Sequence, residues 1–126
     1  MAAPRNLGVN DGKLAPMPKS PNAVSSQTAN QAMKVDALPF VGDIRGTHQQ
    51  ILNCLQSTGG NKVQQDDSDY IYTVFVTPLM RFKDDVEFYL DEAAQQVHFR
   101  SASRVGYSDM GTNRKRYEAF KAAYLA

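Results

Sequence analysis

Two neighbouring runs of alternating residues constrain this chain more than any other feature. Val86, Phe88 and Leu90 point one way while Glu87, Tyr89 and Asp91 point the other, and a second alternating run follows with Val97 and Phe99. A side-chain period of two denotes a strand with one apolar face, and two such strands joined by a short loop form a hairpin. With Asp91 opposite Gln96 across the loop 92–95, Leu90 opposes Val97, Phe88 opposes Phe99 and Val86 opposes Ser101, so the apolar faces match. The same register sets Glu87 against Arg100 and Tyr89 against His98.

Around this hairpin the chain divides by composition. Residues 1–42 carry Pro4, Pro16, Pro18, Pro21 and Pro39 among many Gly, Ser, Asn and Ala, which blocks regular helix. Leu7, Val9, Leu14, Val24, Leu38 and Phe40 are spaced along it as apolar anchors, so this segment reads as an extended strap lying partly over the rest, with residues 1–6 loose. Residues 43–126 read as a compact core in the same single domain. Asp43 suits an N-cap for a helix to about Ser57, with Ile44, Ile51, Leu52 and Leu55 as its buried stripe and Gly59-Gly60 as its stop. His48 on that helix reads as a partly buried histidine bonded to backbone. The run 70–77 is apolar on both faces, as in a central strand, and Pro78 ends it. A final helix from about Gly111 or Thr112 to Leu125 turns Tyr117, Phe120 and Tyr124 toward the sheet. The expected fold class is α+β: an antiparallel sheet of three or four strands with one helix before and one after it, plus the strap.

Composition excludes several roles. The 126 residues hold 14 basic and 13 acidic groups, a net charge of +1, without the basic excess that nonspecific nucleic-acid binding requires. No apolar run reaches the roughly 18 residues of a membrane span, and residues 1–13 lack the apolar core of a secretory signal. Cys54 is the sole cysteine, so no intrachain disulfide and no cysteine-based zinc cluster forms, and it reads as a small buried hydrophobe. Nothing in the sequence implies a metal or another cofactor.

The chemistry concentrates in HFRSASRVGYSDMGTNRKR, from His98 to Arg116. Strand alternation puts His98, Arg100, Ala102 and Arg104 on one face, the two arginines about 13 Å apart with small Ala102 between them. Two guanidinium forks bordering a recess suit a carboxylate or phosphate. The competing reading is structural: Glu87 pairs with Arg100, and Asp84 or Asp85 with Arg104. Ser101 and Ser103 face the apolar side, away from His98, which disfavours a serine nucleophile. Tyr107, Asp109, Asn113 and Arg114 surround a turn and helix start, where free amides can be capped by Asp109 or Asn113 or can cradle an anion. Asp84 and Asp85 could act as an acid–base pair or hold a hard cation, but adjacent strand residues point to opposite faces.

At these residues the chain resembles the domain of unknown function 1499 family. The family signature runs like RSASRxGYSDxGxNRKR, carried here by residues 100–116, and is preceded by the DDV element at Asp84, Asp85 and Val86. LGVNDGKLAP and SPNAVSSQ resemble the family's opening segment, so agreement covers nearly the whole chain. The family typically has LAPCP and SPNCVSSQ, which places Met17 and Ala23 where two cysteines are expected. A reducing compartment, drift or deliberate replacement would each account for their joint loss. The resemblance implies a coherent fold and an envelope or lumenal location, with Met1-Ala2-Ala3 as a trimmed start. A cytoplasmic location stays open.

Three functions compete. The first is a binding module in which Arg100, Arg104, Tyr107, Asp109, Asn113 and Arg114 form a cleft for a small anion, lipid head group or peptide. The second is an enzyme using Asp84, Asp85 or Asp109 as acid–base groups, with the arginines stabilising developing charge. The third is a structural envelope protein in which the signature locks strap, hairpin and last helix together.

Overall fold

The computed structural model describes residues 2–106 and 108–126. In chain order the elements are β1 (Ala23–Ser25), β2 (Leu38–Pro39), α1 (Ile44–Thr58), β3 (Asn61–Asp67), β4 (Tyr70–Val76), β5 (Lys83–Asp91), β6 (Gln96–Ser103) and α2 (Thr112–Leu125). The sheet order is β1-β6-β5-β4-β3, and β2 shares the outer edge of β6 with β1.

The β5–β6 hairpin takes the register that the alternation predicts: Asp91 pairs with Gln96, Phe88 with Phe99, Glu87 with Arg100 and Val86 with Ser101. Phe88 and Phe99 are fully buried and meet edge to face at 5.4 Å. Helix α1 forms where the capping chemistry predicts it. The Asp43 carboxylate accepts from the Gly46 amide at 2.8 Å, and Gly59, at φ 69°, donates back to the Leu55 carbonyl. Ile51 and Leu55 are buried on α1, with Ile44 and Leu52 partly buried beside them. Cys54 lies among them, and burial pushes its thiol pKa up, which makes it a poor nucleophile. Tyr117, Phe120 and Tyr124 of α2 close the same face, with Tyr117 5.3 Å from Phe99 and Phe120 4.8 Å from Phe88.

The expected sheet of three or four strands between one earlier and one later helix is wrong. Among the described residues the antiparallel sheet has six strands, and two of them, β1 and β2, precede the first helix. The proline-rich segment is therefore part of the sheet as well as a strap. Val24 pairs with Ser101 and Leu38 with Val97, because the free edge of β6 offers unpaired amides and carbonyls that two short extended pieces satisfy. Pro39, which lacks an amide, is tolerated at such an edge. Val24, Val35 and Leu38 then join the core beneath α1 and α2.

The strap also crosses the opposite face of the sheet. Leu14 is buried there against Tyr70, Tyr72 and Val74, with Leu7 and Tyr89 packed alongside. Helices thus cover one face and residues 7–16 cover much of the other. At the far edge, exposed β3 is interrupted by a bulge between Val63 and Gln65 and carries Lys62, Asp66 and Asp67, features that discourage pairing with another sheet.

Candidate functional site

Strand alternation sends Asp85, Glu87 and Arg100 to the strap-covered face, where they form a buried polar layer. Glu87 is wholly buried. Its Oε2 accepts from the Tyr70 hydroxyl at 2.5 Å and from the Gly8 amide at 2.7 Å. Its Oε1 lies 3.8 Å from Arg100 Nη1, too far for a hydrogen bond. Arg100 instead donates from Nε to the Ala15 carbonyl and from Nη2 to the Pro16 carbonyl, both at 3.0 Å. Burial raises the Glu87 pKa, opposed by the Tyr70 and Gly8 hydrogen bonds and by the Arg100 charge. The arginine–carboxylate pair is real, but the arginine's hydrogen bonds clamp the strap.

One strand position pair along, Arg104 grips Asp85. Arg104 Nε lies 3.0 Å from Asp85 Oδ2 and Nη2 lies 2.9 Å from Oδ1, a forked pairing that raises the Arg104 pKa. Tyr72 donates to the same carboxylate at 2.5 Å, and its hydroxyl pKa is pushed up to about 12, first by burial and then by that bond. Between Arg100 and Arg104, Ala102 lines a pocket of about 460 Å³ that also touches Asn22 and Asp85. The recess inferred from the sequence exists, although both of its arginines are engaged.

Asp84 faces the helices instead. Its Oδ2 forms an ion pair with Arg116 Nη2 at 2.8 Å, and the Arg116 guanidinium also sits 4.7 Å from the centre of the Phe75 ring. Beside it, fully buried Asn113 joins four segments. Asn113 Nδ2 donates to the Asn22 carbonyl, Ser103 Oγ and Asp109 Oδ2, while its Oδ1 accepts from Ser101 Oγ and Arg116 Nη1. Asp109 accepts the Gly111 amide at 2.8 Å and the Asn113 amide at 3.3 Å, the capping role expected of it. Arg114 donates to the carbonyls of Ala32 and Lys34. The expected cleft of Arg100, Arg104, Asp109, Asn113 and Arg114 is therefore split between the two sheet faces. Tyr107 lies outside the described residues.

The histidines have partners that the sequence reading missed. His48 Nε2 is 2.6 Å from Asp66 Oδ1, which links α1 to β3 through a side chain where a backbone contact was expected. His98 Nδ1 lies 3.1 Å from Ser26 Oγ, but buried Ser26 already accepts the Phe99 amide, and Asp91 is 4.0 Å from His98 Nε2. This arrangement stitches β6 to the segment after β1. Burial lowers the His98 pKa from its ordinary 6.5, with Asp91 acting the other way. The folded state therefore resists protonating His98. Above about pH 6.5 both states are neutral, and below it the unfolded chain takes the proton first, so stability falls as pH drops. A melting series from about pH 7.5 to about 5.5 should show this fall, and His98→Asn should flatten it.

A family model described as protein of unknown function (DUF1499) matches residues 13–124. The chain belongs to that family. No curated protein and no solved structure matches it. Membership extends over strap, hairpin and last helix together, while the choice among functions rests on geometry.

The geometry adds a second recess that the signature does not name. On the strap-covered face, bordered by Ala2 and Ala3 at the start of the strap, a groove of about 750 Å³ is lined by Lys62, Arg81, Lys83 and Arg104 over Tyr72, Val74 and Val76. No Asp or Glu lines it. Lys62, Arg81 and Lys83 come from β3, the β4–β5 loop and β5, so only the sheet topology brings them together. The available sequence signal was PLMRFK, a cationic and apolar run directly after the proline that ends β4.

Proposed function

We propose that this domain is a noncatalytic binding module whose ligand is an anionic amphiphile held in the 750 Å³ groove. The observation that carries the reading is the lining itself: four cations and no carboxylate, over an apolar floor of Val74, Val76 and the Tyr72 ring. A carboxylate or phosphate head would meet Lys62, Arg81 and Lys83, and its hydrocarbon body would lie along the floor. Arg104, its charge already paired with Asp85, contributes a fixed polar wall, and the net positive charge comes from Lys62, Arg81 and Lys83. The carboxylates considered for acid–base work are otherwise engaged, Asp84 by Arg116, Asp85 by Arg104 and Tyr72, and Asp109 by helix amides. That engagement favours binding over catalysis. The envelope location implied by the family resemblance belongs to the same proposal, since anionic amphiphiles concentrate there.

Calorimetric titration with dodecyl phosphate below its micellar concentration tests the reading. Saturable binding is expected, weakened by about tenfold in Lys83→Glu, with neutral dodecyl maltoside inert. Equal binding of the neutral detergent, or no binding of the phosphate, would overturn it.

A further inference from the structure

The end of the sheet that carries the groove also displays an apolar surface that the groove does not use. The β4–β5 loop holds Leu79 at 97% exposure and Met80 at 69%, and the loop before α2 holds Met110 at 87%. These are large apolar side chains set almost wholly in water. Their backbones are unusual as well: Leu79 has φ 41°, Arg81 φ 57° and Met110 φ 53°, a left-handed region that non-glycine residues seldom occupy. The β4–β5 loop is nevertheless well bonded. Thr77 donates its amide to the Phe82 carbonyl at 2.8 Å, and its hydroxyl accepts the Phe82 amide at 2.9 Å. The loop is thus a braced turn that presents Leu79 and Met80 outward. The two loops face one another across a pocket of about 350 Å³ to which Leu79, Met80 and Met110 contribute.

Charge decides what this surface fits. Exposed Lys62, Arg81 and Lys83 flank the β4–β5 loop on the groove side, and Lys115 shares a recess with Thr77 and Pro78 on the other. The carboxylates at this end are occupied internally: Asp84 by Arg116, Asp85 by Arg104 and Asp109 by the helix start. At the opposite end, where β3 turns into β4 and β5 into β6, Asp66, Asp67, Asp69 and Glu92 are exposed. Exposed cations thus surround the apolar tips at this end of the sheet, whereas exposed Lys13 and Lys34, near His98, offset the carboxylates at the other. A protein partner would need only a matching apolar patch. Apolar tips ringed by cations match the layered chemistry of an anionic bilayer, with phosphates at the surface and hydrocarbon beneath.

We infer that this pole docks on an anionic lipid membrane, with Leu79, Met80 and Met110 entering the interface and Lys62, Arg81, Lys83 and Lys115 contacting head groups. Docking opens the groove of the proposed function toward the surface. The inference rests on that reading only in sharing Lys62, Arg81 and Lys83; the loop tips support it separately.

Flotation with vesicles of phosphatidylcholine and phosphatidylglycerol in equal parts, against pure phosphatidylcholine, tests it. The protein should float with the anionic vesicles alone and be released by salt. Replacing Lys62, Arg81 and Lys83 together with Gln should weaken binding on the order of a hundredfold. The combination Leu79→Asn, Met80→Ser and Met110→Asn should weaken it by at least about tenfold without lowering the melting temperature, since Asn accepts the left-handed backbone. Leu79→Trp, in a chain with no other Trp, should blue-shift its emission on the same vesicles. Failure to float with anionic vesicles would overturn the inference, as would flotation indifferent to the tip substitutions. So would sedimentation showing that the tips serve self-association. Binding of dodecyl phosphate without vesicle binding would leave the groove intact and sink the docking alone, and the reverse pattern would spare the docking and sink the groove.

Discussion

Arg100→Ala is expected to lower the free energy of unfolding by about 3–5 kcal/mol at neutral pH. Arg100 is 4% exposed and its carboxylate neighbour Glu87 is fully buried, so no solvent replaces what is lost. Two effects combine. The Ala15 and Pro16 carbonyls lose their donors, which loosens the strap on that face of the sheet, and Glu87 loses the guanidinium near its unbonded oxygen. The loss should depend on pH. Burial already raises the Glu87 pKa, and removing Arg100 raises it further, so the variant prefers protonated Glu87. A carboxyl with a raised folded-state pKa loses stability as pH rises from its ordinary value through the raised one. The deficit should therefore shrink toward pH 4.5 and grow toward neutrality. Arg100→Lys should recover only part of it, because a single ammonium cannot reach two carbonyls as a planar fork does. Urea unfolding followed by circular dichroism at two pH values checks both points, and a loss under about 1 kcal/mol would reduce the clamp to a surface ion pair.

That clamp marks where sequence reading succeeds and where it stops. Glu87 opposite Arg100 was legible because both strands of the hairpin alternate strictly, and a one-residue slip would have turned Phe88 and Phe99 to the wrong face. The arginine's closer partners were not legible, because the carbonyls of Ala15 and Pro16 have no side-chain signature and lie 84 or more residues away. Tyr70 and Tyr72 were hidden for a related reason: strand β4 is apolar on both faces, so nothing in its own pattern fixed its register against Asp85 and Glu87. Strands β1 and β2 are three and two residues long, too short to show a period, and the edge of β6 organises them. Helix α1, by contrast, was bounded by local chemistry at both ends, Asp43 and Gly59, and local chemistry is what a sequence displays directly.

The signature segment accordingly divides into two tasks. Arg100, Asn113 and Arg114 bind backbone of the strap, from Ala15 and Pro16 through Asn22 to Ala32 and Lys34. Arg104 and Arg116 neutralise the two aspartates that open β5, one on each sheet face. Together they explain how one polar run fastens both faces of the sheet.

Asn113→Ala should be the second large loss, about 2–4 kcal/mol, because up to four side-chain hydrogen bonds worth about 0.5–1.5 kcal/mol each go at once from a fully buried site, the three Nδ2 acceptors sharing two hydrogens. The lower half of the summed range is the better expectation. The Asn22 carbonyl still accepts the Ser103 amide, and Asp109 Oδ2 still accepts the amide of residue 113, so neither is orphaned. Ser101 is the group left without its acceptor. Ser101→Ala should therefore cost far less in the Asn113→Ala background than in the parent, and this coupling distinguishes a shared network from independent contacts. Hydrogen exchange supplies the spatial readout. Loss of Asn113 frees the junction of β1, β6 and α2, so amides of Val24 and Ser103 should exchange early while those of α1, fixed by Asp43 and its own apolar stripe, stay protected. Additive losses, or exchange that rises evenly over both helices, would show that Asn113 is an ordinary buried amide and that the strap is held without it.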